Sequence, residues 1–332
     1  MIDRRTFLRQ LAALAATSSV ASAFTESDKL GKLLPTRMLG RTGQKISAFT
    51  LGGAHVTRAE TELMSQKLIE TAIELGCRSF DTARKYGEGR SELLFGKYLT
   101  PKYRDQVYIG TKTLKRTGPE VREELELSLR SMKLDYIDLW QVHSIRSAED
   151  AEAIWNQGAI EEFLKAKQEG LVRHIGFTGH RDYRAHLRLL ELLKAGGVQM
   201  DTCLMPINLV DPHYDSFITN VIPKLLQENY GIFAMKTFAH GKLIGVDKFG
   251  HKVVRETRNE VPTDTGITMK EMHDYVYSLP VTSLTSGCLF DSEVRQNIGN
   301  LTSFKGMTAA ERDTLIARST PFKGHEFEYY KA

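Results

Sequence analysis

Cysteine is scarce in this chain. Three occur in 332 residues, Cys77, Cys203 and Cys288, far apart and with no C-x-x-C pair. That spacing leaves no zinc knuckle and no iron–sulfur ligand set, so three small core residues are the expectation. Excess charge is also lacking, since 45 Lys and Arg against 41 Asp and Glu leave a net +4. No basic stripe and no interleaving of aromatic with basic residues marks a nucleic-acid surface. No apolar run approaches the ~20 residues a bilayer-crossing helix needs, which argues against permanent membrane insertion. No linker rich in Pro, Gly or Ser divides the chain. No G-x-G-x-x-G follows the first predicted strand, which argues against an open dinucleotide-binding sheet.

What is present is 41% hydrophobic and 26% charged sequence, the balance of a globular chain with a substantial core. The length suits one large domain, because (β/α)8 barrels commonly need ~250 residues or more. The first residues stand apart. Asp3-Arg4-Arg5-Thr6-Phe7-Leu8-Arg9 precedes an apolar run over 11–16 and then small residues, with Ala21 and Ala23 in an A-x-A frame. A charged start, a short apolar stretch and a small-residue cleavage frame predict a secretory signal peptide over 1–23, with the mature domain over 24–332. Paired arginines before Phe-Leu resemble the twin-arginine export signal, which carries folded proteins. The implied partner is the twin-arginine export machinery and the implied location the periplasm. Removing the leader leaves a net charge of about +2.

From about Lys45 onward, short apolar runs alternate with longer amphipathic stretches. Strands are predicted over 47–51, 78–82, 107–112, 136–143, 172–178, 202–207, 232–236 and 281–286. Helices are predicted over 61–75, 88–99, 119–132, 148–169, 183–195, 217–229, 267–279 and 292–301. The first helix carries Met64, Leu68, Ala72 and Leu75 on one face, and Gly76 stops it. A long polar segment occupies 240–265. Near-continuous apolar strands alternating with helices mean a parallel sheet. Eight such units close into one α/β (β/α)8 (TIM) barrel, whose chemistry sits at the carboxyl ends of its strands.

Four polar residues fall at three consecutive strand ends. Asp81 ends the second strand in Phe80-Asp81-Thr82-Ala83, and Tyr86 follows it. Lys112 ends the third in Gly110-Thr111-Lys112, and His143 the fourth in Gln141-Val142-His143. Reducing a carbonyl needs a hydride donor on one side and a proton donor at the oxygen. A phenol, with an ordinary pKa of ~10, is a reluctant donor at neutral pH. An ammonium beside it lowers that value, and Lys112 can supply it. Asp81 can keep Lys112 charged and fixed. His143 can orient the substrate oxygen, on which negative charge develops during the reaction.

Phe80-Asp81-Thr82-Ala83, then Tyr86-Gly87-Glu88-Gly89-Arg90-Ser91-Glu92 and Gly96, resembles the signature of the aldo-keto reductases. The resemblance continues through Lys112, the strand ending at His143, Ile175-Gly176-Phe177-Thr178-Gly179-His180, Ser278-Leu279-Pro280-Val281 and Gln296-Asn297, and spans residues 36–301. It implies an Asp81–Tyr86–Lys112–His143 tetrad, NAD(H) or NADP(H), a small carbonyl or alcohol substrate such as a sugar, and no metal.

It also implies cofactor contacts in the loops after strands five to eight. Thr178 stands where the family has a serine on the carboxamide. Gly179 stands where it has an asparagine, so His180 or Asn208 is expected to replace that contact. Met235 takes the place of a stacking aromatic, and Lys236 is expected on the pyrophosphate. Ser286 and Gly287 resemble the phosphate turn, and Asn297 the adenine contact. At the ribose 2′-position, Asp291 and Glu293 stand where NADP-preferring members place cations, with Arg295 the one nearby compensation. An acid there suits a free 2′-hydroxyl, which favours NAD(H).

The subgroup sharing Gly176-Phe177-Thr178-Gly179-His180 and Met205-Pro206-Ile207-Asn208 often carries clustered cysteines near its C-terminus, and these 332 residues hold none. Residues 321–332, with Phe327, Tyr329 and Tyr330, are expected to cap the barrel or line its pocket. His55, His180, His213 and His240 fall on separate loops without ligand spacing, and no metal site is expected. A second function class is a regulatory or binding subunit that keeps the barrel and its nucleotide but turns over poorly, as potassium-channel β subunits do.

Overall fold

The computed structural model describes residues 26–245 and 266–331. The expected leader over 1–23 lies outside the described residues, as does most of the polar segment over 240–265. Eight strands close a parallel barrel in chain order. They are β1 (Phe49–Gly52), β2 (Ser79–Asp81), β3 (Tyr108–Thr113), β4 (Ile137–Val142), β5 (Val172–Thr178), β6 (Thr202–Pro206), β7 (Gly231–Met235) and β8 (Ser283–Ser286). Nearly every residue in them is buried, because helices cover the outside while side chains fill the inside. Leu139, Leu204, Phe233 and Tyr108 form the inner cluster, joined by Leu39 and Ile46. Ile46 belongs to an antiparallel ribbon that pairs Thr36–Met38 with Lys45–Ser47, and Leu39 directly follows its first strand. The ribbon packs on the start of β7, where Gly40 is so close that a Cβ would come 2.4 Å from the Asn229 carbonyl.

The same N-terminal face holds two buried carboxylates with cationic partners. Asp138 binds Arg104 at 2.5 Å and Arg173 at 3.1 Å, and accepts from the Ile109 amide. Asp201 binds Lys167 at 2.7 Å and accepts from the Ile175 amide. These carboxylates staple neighbouring strands where they begin, at the end of a barrel that serves stability rather than chemistry.

Around the barrel lie α1 (Glu62–Glu74), α2 (Arg90–Tyr98), α3 (Gly118–Met132), α4 (Ala148–Asn156), α5 (Ala159–Gln168), α6 (Tyr183–Ala195), α7 (Met269–Tyr277), α8 (Asp291–Thr302) and α9 (Ala309–Arg318). Thr61 caps α1 by accepting from the Met64 amide at 3.2 Å. Two predicted helices are broken. The single helix over 148–169 is split into α4 and α5 by Gly158, which takes φ +86 and so turns the chain between two helices. The helix over 217–229 becomes two short pieces, Phe217–Asn220 and Ile222–Gln227, with Pro223 in the first turn of the second. The last helix, α9, was not predicted, and it carries the chain's end back to the barrel mouth. Among the described residues no helix is long and apolar enough to cross a membrane.

Candidate active site

Parallel register brings the four strand-end residues together. Asp81 pairs with Gly110 of β3, and Lys112 with Gln141 of β4. The Lys112 Nζ donates to Asp81 Oδ2 at 2.6 Å and to the Thr82 carbonyl at 2.6 Å, and stands 3.4 Å from the Tyr86 hydroxyl. An ammonium has three protons, and all three are directed. The His143 ring meets the Tyr86 ring edge-on, with centroids 5.7 Å apart. Its amide donates to the Thr113 carbonyl at 2.8 Å, so the end of β3 holds it in place.

Burial sets the charges. It works to strip Lys112 of its proton, but Asp81 and Tyr86 outweigh it and hold the amine above the ordinary lysine value. Burial likewise raises the Tyr86 phenol, and the neighbouring ammonium does not overcome it. The expectation of a lowered phenol is thereby corrected. Lys112 pulls in the predicted direction, but loss of water pulls harder. His143 is driven well below the ordinary imidazole value, first by burial and then by Lys112, so it is neutral.

A buried carboxylate braces this group, though the sequence showed it only as a letter in a motif. Glu92 accepts from Arg84 at 2.6 Å and from the Thr111 hydroxyl at 2.7 Å. Arg84 lies in the loop carrying Tyr86, and its amide donates to the Lys112 carbonyl. Glu92 thus ties that loop to the strand bearing Lys112.

The other side of the mouth differs from expectation. Gly179 has a packing reason, since a Cβ there would come 2.6 Å from the Ile145 carbonyl and 2.6 Å from the His186 ring. No asparagine fits at that position. Thr178 closes β5, fully buried. His180 and Asn208, the expected replacements, are turned to the C-terminal segment instead. His180 Nδ1 lies 3.3 Å from the Tyr330 carbonyl. Asn208 Nδ2 donates to Glu328 Oε1 at 3.0 Å and to the Tyr330 hydroxyl at 2.9 Å. The Asn208 carbonyl is also engaged, by the amides of Val210 and Asp211. In this arrangement the Asn208 amide has no capacity left for a cofactor. No sequence signal pointed to this, because the partners are more than a hundred residues apart.

Along β7 and β8 the residues fit a dinucleotide. Met235 ends β7 against the inner cluster. Lys236 follows with φ +57, and burial, with Arg58 as the lesser cause, brings its amine down to about 8. Among the described residues no carboxylate pairs with it, so an anion arriving there meets an unneutralised ammonium. The buried oxygens Thr237 Oγ1, Thr285 Oγ1, Ser292 Oγ and Asn297 Oδ1 are unpartnered among the described residues. Asn297 Nδ2 donates to Ser286 Oγ at 3.1 Å and to Cys288 Sγ at 3.3 Å. Gly287 needs its missing side chain for a reason the sequence did not show, as a Cβ would lie 1.9 Å from His55 Nδ1. Burial holds His55 at about 4, neutral beside Lys236. Glu293 is taken up at its own helix start, where it accepts from the Leu289 amide at 2.7 Å as a helix-capping carboxylate. Asp291 binds Lys67 at 3.1 Å and lies 3.9 Å from Arg295, which is itself paired with Glu74. Among the described residues no group of three or more His, Cys, Asp or Glu is arranged to hold a metal.

The model of the Aldo/keto reductase family matches residues 48–286 of the chain. The chain is 25% identical to the oxidoreductase YqkF of Bacillus subtilis over 291 residues, 79% of this chain and 89% of that one. It is 27% identical to the L-galactose dehydrogenase of Arabidopsis thaliana over 220 residues, 62% of this chain and 66% of that one. The Bombyx mori aldo-keto reductase AKR2E4, solved in complex with NADP, superposes with a TM-score of 0.65 at 19% identity, covering 86% of this chain and 93% of its own.

Proposed function

The chain belongs to the aldo/keto reductase family, and from that premise we propose that it interconverts an aldehyde or ketone and the corresponding alcohol with Tyr86 as general acid and base. The observation that carries this reading is the buried Lys112 ammonium held between Asp81 and the Tyr86 hydroxyl. A bound nicotinamide supplies or takes the hydride. The protein's own residues manage the proton. The Tyr86 phenol, kept protonated by burial, stands ready to give its proton to a carbonyl oxygen. The phenolate left behind faces Lys112. Two unit charges at about 4 Å interact by about 4 kcal/mol at an effective dielectric of about 20, an energy worth roughly a thousandfold in rate. Neutral His143 can hold the same oxygen by a hydrogen bond, and Asp81 keeps Lys112 charged and aimed.

For the cofactor, Lys236 is assigned to the pyrophosphate and Asn297 to the adenine, on the strength of the unpaired ammonium and the unpartnered Oδ1. Thr178, Met235, Ser286 and Gly287 complete the wall. NAD(H) is the preferred form. Lys67 and Arg295, the cations flanking the turn, are already bound to Asp291 and Glu74, and a 2′-phosphate would have to displace a carboxylate. The substrate is a small sugar or related carbonyl, which the likeness to an L-galactose dehydrogenase supports. The test is steady-state turnover of a panel of aldoses, ketoses and simple aldehydes with NADH and NADPH. Binding of nucleotide without turnover on any of them would favour a regulatory subunit instead.

Export is proposed as well. Arg4 and Arg5 ahead of a short apolar run support a twin-arginine route to the periplasm, with the cofactor loaded before export. The expected result is that Arg4→Lys with Arg5→Lys leaves the protein in the cytoplasmic fraction. Unchanged periplasmic recovery would contradict it. A companion expectation, that the long segment over 240–265 forms a belt over the pyrophosphate, falls on residues of which 246–265 lie outside the described ones.

A further inference from the structure

Residues 328–331 are held by a set of buried polar contacts. Lys331 is 1% exposed, and Glu328 and Asp211 are fully buried. The Lys331 Nζ donates to Asp211 Oδ1 at 2.7 Å, to Glu328 Oε2 at 2.8 Å and to the Tyr214 carbonyl at 2.8 Å. Glu328 Oε1 accepts from Asn208 at 3.0 Å and from the Tyr330 hydroxyl at 2.8 Å. Asp211 in turn accepts from the Ser216 hydroxyl and from the amides of Phe217 and Ile218, so the loop after β6 is rigid beneath the lock. A buried ion pair costs much of its Coulomb energy in lost hydration and adds little net stability. What it can fix is a single arrangement. Here the arrangement puts the Tyr330 ring over the Lys236 ammonium, 4.7 Å from the ring centre. Tyr329 stacks on His240 and bonds its Nδ1, and the Tyr330 carbonyl meets His180. His180, Asn208, Lys236 and His240 follow β5, β6 and β7 on the carboxyl side of the barrel.

We propose that the segment from Glu328 to Lys331 is a gate over the cofactor side of the site, with Lys331 as the positioning residue that holds Tyr329 and Tyr330 across the path to Lys236. The inference rests on the nicotinamide reading above. A gate has a kinetic signature that a wall or a competitor lacks. A wall contributes contacts, so loosening it speeds dissociation alone. A competitor blocks the empty site, so loosening it speeds association alone. A gate limits both directions, so loosening it speeds both and leaves the affinity nearly unchanged.

The experiment is stopped-flow binding of NADH to the full chain, followed by nucleotide fluorescence, with release measured by dilution. Lys331→Met breaks the lock and leaves Asp211 and Glu328 buried without their cation. Tyr330→Leu removes the ring over Lys236 while leaving the Lys331–Asp211 pair, and it decides the matter if the first variant does not fold. Both variants are expected to raise association and dissociation rates together by about tenfold, with Kd changed less than about threefold. Lys331→Arg, which keeps the charge, is expected to restore most of the slow exchange. Faster dissociation alone, faster association alone, or rates equal to those of the unaltered protein each overturn the gate while leaving the nucleotide reading intact. An unaltered protein that binds neither NADH nor NADPH overturns the nucleotide reading itself, and the gate with it.

Discussion

The Lys112 ammonium stands 3.4 Å from the Tyr86 hydroxyl and 2.6 Å from Asp81, on a side chain that is almost wholly buried. One charge therefore serves two partners. It stays on the amine because Asp81 is there, and it is available to a phenolate when Tyr86 has given up its proton.

Tyr86→Phe removes that proton while leaving the ring that packs edge-on to His143. Carbonyl reduction is expected to fall by ~10²–10⁴-fold, with NADH binding within about twofold of the unaltered protein. Initial rates and a fluorescence titration measure the two effects separately. Near-full activity in the variant would assign the acid to another group.

The raised phenol also sets a pH profile. Tyr86 remains protonated past the ordinary tyrosine value, so the rate of reduction is expected to be flat through neutrality and to decline only above pH ~10. A profile of kcat against pH with a falling limb near neutrality would show that Lys112 outweighs burial in the working complex.

Acid is expected to destabilise the fold through its buried histidines. Burial holds His186 at about 4 and His273 at about 3, the latter with help from Lys270. In the unfolded chain each gains a proton below pH ~6.5, while the folded chain stays neutral. The unfolded state then binds more protons, and stability drops as pH falls, by about 1.4 kcal/mol per pH unit for each histidine. Urea midpoints at about pH 7 and about pH 5 check the sign, and equal midpoints would contradict it.

Asp291→Ser is expected to free Lys67 for a 2′-phosphate, with Arg295 remaining paired with Glu74. NADH should bind the unaltered protein more tightly than NADPH. The variant should shift that ratio toward NADPH by about fivefold, or ~1 kcal/mol, the upper end of what an exposed ion pair contributes. An unaltered protein that prefers NADPH would mean that the carboxylate yields its cations readily.

Gly287→Ala forces a methyl group into the His55 imidazole. Overpacking of this kind commonly costs ~1–3 kcal/mol, and NADH affinity should weaken with it. The double variant Gly287→Ala with His55→Ala is expected to recover both, as seen by thermal unfolding and titration. No recovery would mean that the glycine serves the backbone turn rather than its neighbour.

The sequence by itself determined the barrel and its tetrad. Both are written in short-range pattern, as eight apolar runs at βα spacing and polar residues at their ends, and strand geometry converts that pattern directly into place. The breaks at Gly158 and Pro223 were also visible as residues, but the surrounding helical periodicity read straight through them. Tertiary structure alone decided the rest. The phenol's pKa depends on how much water the assembled mouth excludes, which no local motif records. Gly179 and Gly287 are glycines because of Ile145, His186 and His55, which reach them only when the barrel closes. Asn208 was read, with His180, as a replacement for the family's asparagine contact that Gly179 lacks, yet Glu328 and Tyr330 take its amide, 120 and 122 residues further along the chain. Such a pairing has no period and no spacing in sequence, because it is set by where α9 returns the chain to the barrel mouth.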